Sequence, residues 1–376
     1  MDARPGARAL NPAECFDVAV LGRGPAAMAA AISLRRAAHR VLVLAPARPA
    51  PTPPGDSLAP DAKHLLRRLG VWQAFEADGH LACHGNRSAW ATSTPRHFDF
   101  IHHPQGHGFH IDRAVFDRRL VERARALGAD IDSFDAPPAI VPDAAGWQGQ
   151  HGPRRWQARW VVDASGQASW FARHQGVARL QDDAQVALVA TLQAPGLPAD
   201  TASLIEAVPR GWWYCAPLPQ GRWSAMFFTD ADLHDHRALR TAAGWQALLA
   251  GAPLTWTRLQ QHGAVLAGAP AFTPAASARL ARFAGPGWLA VGDAAMRYDP
   301  LSAHGLTVAL HSGIEAGQAL SASLAGDGTA VQRYADALDH AHALYARMRL
   351  GLYREAVRFA GQPYWQRRQR EAVASS

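Results

Sequence analysis

The sequence predicts an α/β fold in which a parallel sheet is built from separate parts of the chain, with a β-rich domain interleaved and helices at the C-terminus. Strand-like apolar runs that end in small-residue turns recur at Gly22, Asp163 and Gly292, in the first, middle and last thirds of the 376 residues. Short β-rich segments separated by Gly, Pro and Asp lie between the second and third turns. Apolar residues with helical spacing follow Gly326. This length predicts two closely joined domains, because single cores stop growing at roughly 250–300 residues.

The first turn belongs to a βαβ unit. Its parts are a strand-like run, a helix-compatible run and a second buried strand: Phe16–Leu21, Ala26–Ala38 and Val41–Leu44. Between the first two parts, Gly22 allows a tight turn, Gly24 lets the backbone approach a pyrophosphate, and Ala27, next to Ala26, permits close helix packing. The unit therefore predicts a Rossmann-like dinucleotide site. The alternative is a glycine turn in an ordinary α/β protein.

One expected part of such a site is missing. Dinucleotide-binding folds often end the second strand with Asp or Glu, which binds the adenosine ribose, whereas this strand ends Leu44-Ala45-Pro46. The departure could weaken the affinity for the dinucleotide, or backbone and other side chains could replace the contact. We expect a bound dinucleotide, without requiring that it stay bound through purification.

The third turn carries the polar residues of a second ligand-binding loop. Leu289–Val291 is an apolar run that can end a buried strand, and Gly292 turns the backbone so that the Asp293 carboxylate projects at the strand's end. Pro300 fixes its own φ angle, and Gly305 permits close backbone approach. The helix that begins near Leu306 points free N–H groups at this loop. Such a geometry suits a ring that becomes negatively charged when it is reduced.

With these residues the sequence resembles the FAD-dependent monooxygenase superfamily. There, a Gly-Asp-Ala turn like Gly292–Ala294 holds the flavin ribityl chain, and a loop like Pro300–Gly305 lies beside the isoalloxazine. The segment Asp299–Leu306 looks most like the tryptophan-halogenase-like branch, which includes flavoprotein maturases of tryptophylquinone cofactors. The resemblance implies a discontinuous Rossmann-like FAD-binding domain, which we assign to residues 14–80, 106–182 and 266–325. It also implies an interleaved substrate domain, assigned to residues 81–105 and 183–265, and a C-terminal helical segment, assigned to residues 326–376.

Three further segments match this resemblance. Gly55-Asp56-Ser57 looks like the branch's Gly-Glu-Ser, with Asp in place of Glu, and implies a polar contact from Ser57 at the cofactor edge. Arg113 would lie near the FAD phosphates or the flavin edge, unless Asp112 and Arg113 only cap a helix over 114–127. Asp163-Ala164-Ser165-Gly166 looks like the turn that the superfamily places near the pyrophosphate.

The β-rich region contains a candidate substrate wall. We expect strands at Gln185–Leu192, Ser203–Val208, Gly211–Leu218 and Arg222–Thr229. Within the third of these, the residues Trp212, Tyr214, Ala216 and Pro217 resemble a degenerate form of the branch's Trp-x-Trp-x-Ile-Pro motif. Trp213 and Tyr214 are the residues we expect to stack on a substrate ring, and the alternative is that the strand is plain sheet core.

The resemblance implies an enzyme whose reduced FAD reacts with O₂ to a C4a-hydroperoxide and hydroxylates an electron-rich aromatic substrate. The substrate could be a peptide- or protein-bound tryptophan during quinone cofactor maturation. The backbone of Pro300–Leu306 would stabilise the reduced flavin, with Gly305 close to the ring. His304 is the candidate polar group facing the ring, although it could equally cap the following helix.

Rival functions share the cofactor motifs. These are an FAD-dependent reductase of the geranylgeranyl-reductase type, a small-molecule phenol or indole hydroxylase, and a non-catalytic flavin-binding partner protein. A halogenase is disfavoured, because halogenases use a lysine in the segment that resembles Gly85–Trp90, where this chain has Arg87, and the chain's only lysine is Lys63. No second Gly-x-Gly nucleotide site is apparent, so NAD(P)H would reduce the FAD directly in a transient complex, or a separate flavin reductase would do so.

Composition excludes several other classes. The net charge is +7, but the arginines are scattered and the densest cluster, Arg367-Arg368-Gln369-Arg370, is expected to be solvated tail or a partner contact, so no nucleic-acid binding is predicted. No apolar run approaches the roughly 20 residues of a membrane span. Three cysteines without Cys-x-x-Cys spacing suit a cytoplasmic protein. The histidines between His80 and His110 match no short zinc pattern, so no metal site is predicted and we expect strands at Gly85–Thr94 and His97–His103.

The C-terminal segment is predicted to be a covering helix. Helical periodicity runs over Ala330–Gly361, and the predicted buried face comprises Tyr334, Leu338, Leu344, Met348, Leu352 and Val357. Tyr345, Tyr353, Tyr364 and Trp365 could instead dock a protein partner.

Overall fold

The computed structural model describes residues 13–48 and 56–370. Gly55 of the Gly-Asp-Ser segment and the last residues of the C-terminal segment, 371–376, lie outside these ranges. The strands are β1 Glu14–Leu21, β2 Val41–Pro46, β3 Asp56–Leu58, β4 Leu81–Cys83, β5 Gly85–Ala89, β6 Arg96–Asp99, β7 Gly108–Ile111, β8 Asp130–Phe134, β9 Ala139–Asp143, β10 Gly146–His151, β11 Arg154–Asp163, β12 Arg179–Gln181, β13 Gln185–Gln193, β14 Ser203–Val208, β15 Gly211–Pro217, β16 Arg222–Asp230, β17 Val265–Leu266, β18 Ala271–Pro274, β19 Ala278–Leu280, β20 Ala284–Gly285, β21 Trp288–Ala290 and β22 Met296–Arg297. The helices are α1 Pro25–Arg36, α2 Ala62–Leu69, α3 Trp72–Ala77, α4 Arg113–Ala126, α5 Trp170–His174, α6 His236–Leu239, α7 Ala242–Ala250, α8 Pro253–Gln261, α9 Gly305–Leu324, α10 Ala330–Glu355 and α11 Pro363–Gln369.

The main sheet has the order β20-β21-β11-β1-β2-β8, and the five strands from β21 to β8 are parallel. In register, Leu21 lies opposite Asp163, and Asp163 lies opposite Ala290. The three predicted strand-and-turn segments therefore end side by side at one edge of the sheet. This confirms the α/β class and the assembly of the sheet from distant parts of the chain.

The main sheet is buried on both faces. Val18 and Val20 point into a cluster formed with α1, α2, α4 and α9. The alternate residues Ala19 and Leu21 point into a second cluster, where aromatic residues of β10, β11 and α5 cover the sheet. Because both faces are covered, the strands are continuously apolar, as in other parallel sheets.

Helices α1 and α9 cross at unusually short range. A Cβ atom at Gly313 would lie 2.3 Å from the Ala26 carbonyl oxygen, and one at Gly317 would lie 2.6 Å from the Ser33 Cβ. The residues of α1 at this crossing are small, so the two helix backbones approach closely. The crossing brings the N-termini of both helices to the edge where the strands end.

The second large sheet has the order β17-β13-β16-β15-β14-β5-β6, and all its pairs are antiparallel except β14 with β5. Strands β13 to β16 match the four predicted segments to within one residue at each end. One face packs on α7 and α8 through a core that includes Trp213, Trp223 and Trp245. The domain boundaries given above stay a prediction.

The histidine-rich region forms shorter strands than expected. In place of Gly85–Thr94 and His97–His103, the sheet contains β5 and β6, and a 3₁₀ turn over Phe100–His102 follows β6. Among residues 13–48 and 56–370, no group of three or more His, Cys, Asp or Glu is placed to hold a metal ion.

The C-terminal helices differ from the prediction in the face they bury. Leu344, Met348 and Val357 are exposed, and the buried residues of α10 include Tyr345 and Tyr353 instead. Tyr364 and Trp365 of α11 are also fully buried, so these four aromatic residues are core, as in the covering-helix interpretation. No helix in the described parts of the chain is long and apolar enough to cross a membrane.

The prediction of a solvated arginine tail is wrong for Arg368. Its side chain is buried, and its Nη2 donates to Asp230 Oδ1 at 2.6 Å. Arg367 donates to Asp230 at 2.8 Å and to Asp232 at 2.7 Å. The carboxylates of Asp230, at the end of β16, and of Asp232, two residues later, therefore fix α11 to the second sheet.

Candidate functional site

Three backbone turns meet at the carboxyl edge of the main sheet. The Ala164 N–H donates to the Leu21 carbonyl at 3.0 Å, and the Val291 N–H donates to the Asp163 carbonyl at 3.0 Å. A Cβ atom at Gly22, where φ is +135°, would lie 2.1 Å from the Ala164 carbonyl oxygen. Only glycine can occupy this position without moving the neighbouring turn.

The turn at Gly292 is fixed by helices α1 and α9. Its φ angle is +55°, and an added Cβ would lie 2.7 Å from the Ala26 Cβ. The Gly292 N–H donates to Ser312 Oγ of α9 at 3.0 Å. Ala27 is fully buried in the core of the helical face. The small residues predicted at this turn therefore hold the framework together by close packing.

Gly24 and Gly305 differ from these packed glycines because a Cβ atom at either would meet nothing within 4 Å. They stand at the starts of α1 and α9, which have no side-chain cap. The first backbone N–H groups of a helix lack partners within the helix and attract negative charge. Both helix starts therefore offer space and donors for an anionic group.

Asp293 follows Gly292, whose turn packs against Ala26 of α1 and Ala309 of α9. Burial raises the pKa of Asp293, and the guanidinium groups of Arg297 and Arg179 oppose that rise. Within the described chain no hydrogen bond to its side chain is formed. The Thr307 Oγ1 in the first turn of α9 and the Nε of Arg113 are likewise buried without a partner. Hydroxyl-rich and anionic parts of a ligand would satisfy such groups.

Arg113 is enclosed by carboxylates. Its Nη1 lies 3.1 Å from Asp56 Oδ2, and its Nη2 lies 3.4 Å from Asp117 Oδ2. Burial raises the pKa of Asp56, and the charge of Arg113 opposes this. The cap of α4 comes from Asp112, whose Oδ1 accepts from the Val115 N–H at 3.1 Å. The capping expected of this pair is therefore confirmed for Asp112, whereas the Arg113 side chain pairs with Asp56 and Asp117, and contact of Arg113 with a cofactor stays a prediction.

The end of β2 has no carboxylate, as the sequence indicated. Asp132 of β8 lies opposite Leu44 in register. Its Oδ2 accepts from Arg154 Nη1 at 2.9 Å and lies 3.0 Å from His151 Nε2. Asp132 is therefore already engaged on the sheet, and how tightly the adenosine end of a dinucleotide binds stays an open prediction.

The loop that precedes α9 is anchored from the C-terminal helix. The Asp299 Oδ2 accepts from the Tyr353 hydroxyl at 2.8 Å and from Arg349 Nε at 3.2 Å. The Tyr345 hydroxyl accepts the Asp299 backbone N–H at 2.6 Å. Asp299 is 1% exposed, so this network is buried and the loop position depends on α10.

The rest of this loop is exposed or strained. Ala303 has a φ of +51°, a left-handed conformation that costs a residue with a Cβ atom energy. His304 is exposed, its Nδ1 contacts the Ser302 carbonyl oxygen, and its side chain does not cap α9. His304 therefore occupies the N-cap position of α9 through its backbone alone, and a role for His304 beside a ring stays a prediction. Leu306 is buried in the core.

A cavity of about 90 Å³ lies between this loop and the second sheet. Its walls are formed by the loop, by the segment after residue 55 and by one face of the sheet: Pro300 and Ala303; Asp56 and Ser57; Trp212, Tyr214, Leu218, Ser224, Met226 and Phe228.

Only one residue of the expected pair Trp213 and Tyr214 faces this cavity. Successive side chains of a strand point to opposite faces, so Trp213 packs against Phe227 and Trp245 in the core and is fully buried. We therefore correct the expected wall to Trp212 and Tyr214, with Trp212 stacked on Phe228 at a ring separation of 4.0 Å.

Ser57 joins the cavity to the small sheet β3-β7-β4. Its Oγ lies 2.5 Å from the Tyr214 hydroxyl and 2.7 Å from Nδ1 of His110, which is fully buried. The other ring nitrogen of His110, Nε2, lies 2.8 Å from the Thr201 carbonyl oxygen. A chain of polar groups thus runs from the cavity into the interior.

The two candidate cationic residues do not reach the cavity. Lys63 is buried, and its Nζ donates to the Gln105 carbonyl at 2.7 Å and lies over the Phe109 ring. Arg87 forms an ion pair with Asp200 at 2.6 Å. Neither residue lines the cavity wall.

Sequence reasoning missed several residues that position the site. Two groups of them had a readable signal: Gly313 and Gly317 have the spacing of a close helix crossing, and Tyr345, Arg349 and Tyr353 repeat every four residues on one helix face. His110 and Ser312 had none, because each acts through a partner that is far away in the sequence.

The packed and open glycines, the two uncapped helix starts and the unpartnered polar atoms fit a bound dinucleotide such as FAD. Comparison with known proteins agrees. The family profile described as "FAD binding domain" matches residues 15–347. LodB of Marinomonas mediterranea, named as an FAD-dependent oxidoreductase, is 27% identical, with 94% of this chain and 97% of LodB covered.

Solved structures have the same fold. The peptidyl tryptophan dihydroxylase QhpG, described as essential for tryptophylquinone cofactor biogenesis, is 26% identical with a TM-score of 0.77, and 97% of this chain and 80% of QhpG are covered. The flavin-dependent halogenase CmlS has a TM-score of 0.83 at 20% identity, over 96% of this chain and 68% of CmlS, which shows likeness of fold alone. The chain therefore belongs to the family defined by this FAD binding domain and is an FAD-dependent oxidoreductase.

Proposed function

We propose that this oxidoreductase is a monooxygenase that hydroxylates an electron-rich aromatic ring, and that the ring is a tryptophan side chain of a peptide or protein. The observation that carries the proposal is the cavity of about 90 Å³, which has the Pro300 and Ala303 loop on one side and the aromatic wall on the other. A flat apolar ring held there would lie next to the loop that borders the cofactor site. Bound FAD supplies the reaction of its reduced form with O₂ and the transfer of one oxygen atom.

The chain's own residues would then do three things. Gly22, Gly24 and the start of α1 hold the pyrophosphate, and the carboxylate of Asp293 accepts hydrogen bonds from the ribityl chain. The N–H groups of Gly305 and Leu306 stabilise negative charge on the reduced ring. The apolar cavity wall excludes water from the reacting atoms. His304 is exposed, so we do not assign it as a base inside the cavity.

One comparison supports tryptophan as the substrate class. QhpG, described as a peptidyl tryptophan dihydroxylase, is alike over nearly the whole chain. The absence of a free lysine at the cavity disfavours halogenation, because Lys63 is engaged by Gln105 and a guanidinium such as Arg87 stays protonated.

The test is mass spectrometry of candidate substrate proteins encoded beside this gene, incubated with the FAD-loaded enzyme, a reductant and O₂. We expect a mass increase of one or two oxygen atoms on a tryptophan residue and no change under nitrogen. A product that forms equally under nitrogen would support an alkene reductase instead. Halide-dependent product would support a halogenase, and turnover of free indoles or phenols alone would support a small-molecule hydroxylase.

The electron donor is proposed to be NAD(P)H, either directly or through a separate flavin reductase. This fits a cytoplasmic location, for which Cys83 and Cys215, two buried free thiols, are the support in the structure. Anaerobic mixing of the enzyme with NADH or NADPH distinguishes the two routes. Loss of the flavin absorbance without added reductase indicates direct reduction.

A further inference from the structure

The sheet wall of the cavity is apolar except at two positions. Trp212, Met226 and Phe228 present carbon surface, whereas Tyr214 and Ser224 carry hydroxyl groups. Ser224 is 1% exposed, and its Oγ has no hydrogen-bond partner in the described chain. In an apolar site, the few polar groups set the orientation of the ligand. The direction in which the Tyr214 hydroxyl donates or accepts therefore matters for specificity.

That direction follows from counting protons along the chain of Tyr214, Ser57 and His110. A carbonyl oxygen can only accept, so the proton between His110 Nε2 and the Thr201 carbonyl belongs to the histidine. Burial lowers the pKa of His110 to about 4, so at neutral pH the ring has one proton and its Nδ1 is an acceptor. Ser57 must then donate its single hydroxyl proton to His110.

The same counting fixes Tyr214. The proton in the 2.5 Å contact between Ser57 and Tyr214 cannot come from Ser57, so the Tyr214 hydroxyl donates it. Burial raises the pKa of Tyr214, so this proton is retained at neutral pH. The Tyr214 oxygen keeps free lone pairs, and no other N–H or O–H of the described chain donates to it. Toward the cavity, Tyr214 can therefore only accept a hydrogen bond.

We infer that Tyr214 selects an aromatic ring that carries an N–H or O–H donor, with Ser57 and His110 as positioning residues that fix the polarity of its hydroxyl. The inference rests on the proposed aromatic substrate class. An indole ring has one N–H donor and no acceptor atom, so it matches this wall. A ring without a donor would leave the Tyr214 lone pairs without a partner in a dry site.

Asp56 is the competing acceptor in the cavity wall. Its Oδ1 already accepts from the Ser57 N–H at 2.9 Å, and its Oδ2 accepts from Arg113 at 3.1 Å. Both oxygens of Asp56 thus have a donor before any ligand enters. The Tyr214 oxygen has no donor, and the Ser224 hydroxyl, which also lacks a partner, has its oxygen fully buried, so we assign the selection to Tyr214.

The experiment measures binding of two peptides to the oxidised, FAD-loaded enzyme without a reductant, by calorimetry or by the change in flavin absorbance. The probes are N-acetyl-Gly-Trp-Gly-amide and the same peptide with 1-methyltryptophan. We expect the N–H peptide to bind at least about fivefold more tightly to the unmodified enzyme, which corresponds to the typical net value of one hydrogen bond. Tyr214→Phe should bring the two affinities to within about twofold, and Ser57→Ala should reduce the preference because the Tyr214 hydroxyl is then free to rotate.

The matched control is Tyr334→Phe, which removes a buried tyrosine hydroxyl that donates to the Ala290 carbonyl away from the cavity wall. The Tyr334→Phe enzyme should still bind the N–H peptide more tightly than the methylated one. Equal binding of both peptides, no binding of either, or a preference that survives Tyr214→Phe but is lost in Asp56→Asn would overturn the inference. Because no turnover is needed, a retained preference without oxygen insertion would contradict the proposed reaction alone.

Discussion

The turns at Gly22 and Gly292 and the loop Asp299–His304 border the same site, but different forces hold them. The turns are held by backbone contacts so close that a single added Cβ atom would collide with a neighbour. The loop is held by a buried carboxylate and three side chains of α10, with a strained residue at its tip. The turns on the cofactor side are therefore fixed by local steric contacts, whereas the position of the loop next to the cavity depends on α10, which is distant in the sequence.

The largest effect is expected at Gly22. The Gly22→Ala variant should lose at least about 4 kcal/mol of unfolding free energy or fail to fold, because its Cβ would lie 2.1 Å from the Ala164 carbonyl oxygen. The measurement is urea unfolding with and without FAD.

Gly24→Ala is the matched control for this prediction. Its Cβ would meet nothing within 4 Å and its φ is −73°, so stability should change by no more than about 1 kcal/mol. Its FAD affinity should fall roughly tenfold or more, which is about 1.4 kcal/mol, because the Cβ would occupy the space for the pyrophosphate. Equal unfolding free energies for the two variants would contradict the steric account of the turns.

The next effect concerns the polar network of the loop. Asp299→Asn should lower the unfolding free energy by about 2–3 kcal/mol, because the partly buried Arg349 and the buried Tyr353 hydroxyl lose a charged partner, although Arg349 keeps Asp183. A double-mutant cycle with Tyr353→Phe, followed by urea unfolding, should show coupling between the two changes.

The control for the network is Asp327→Asn, which removes an ion pair with Arg333 that lies on the surface. No measurable change in unfolding free energy is expected there, because water screens exposed pairs. Additive effects of Asp299→Asn and Tyr353→Phe would mean that α10 does not hold the loop through this contact.

A smaller effect is expected at the helix crossing that orients α9. Gly313→Ala should lower the unfolding free energy by about 1–3 kcal/mol through overpacking, since the new Cβ would lie 2.3 Å from the Ala26 carbonyl oxygen. Gly351→Ala in α10, where a Cβ meets nothing within 4 Å, should instead stabilise the protein by up to about 1 kcal/mol. Thermal unfolding of both variants tests this, and a Gly313→Ala variant as stable as the parent protein would show that the crossing can relax.

The sequence allowed the turns to be predicted because the steric requirement of a turn is written in adjacent residues. Gly22, Gly24, Gly292 and Asp293 lie in short motifs that follow apolar runs, and the parallel pairing of those runs brings them together. The anchoring of the loop was not predicted, because Asp299 and Tyr353 are 54 residues apart and neither has a pattern that identifies its partner.

The cavity wall was predicted only in part, because the pattern along a strand does not identify what each face of the sheet packs against. The period of two along β15 indicates that Trp212 and Tyr214 share one face of the sheet. It does not indicate which face lies toward the loop Asp299–His304. Trp213 was therefore assigned to the wrong side. The burial of Trp213 between Phe227 and Trp245 is a consequence of where α7 packs, which no local pattern encodes.

The smallest effect tests whether the loop next to the cavity stores strain. Ala303 has a φ of +51°, a region that glycine enters without the steric penalty that a Cβ atom brings. Ala303→Gly should therefore raise the unfolding free energy by up to about 1 kcal/mol, after the greater flexibility of glycine in the unfolded chain is subtracted. Ala325→Gly, at a negative φ of −83° on the surface after α9, has no strain to release and should lower the unfolding free energy slightly. If urea unfolding shows the same loss for both variants, Ala303 is not strained. If only Ala303→Gly gains stability, then the buried contacts of Asp299 hold this loop against its own backbone preference, as is common where a loop must stay in place beside a ligand.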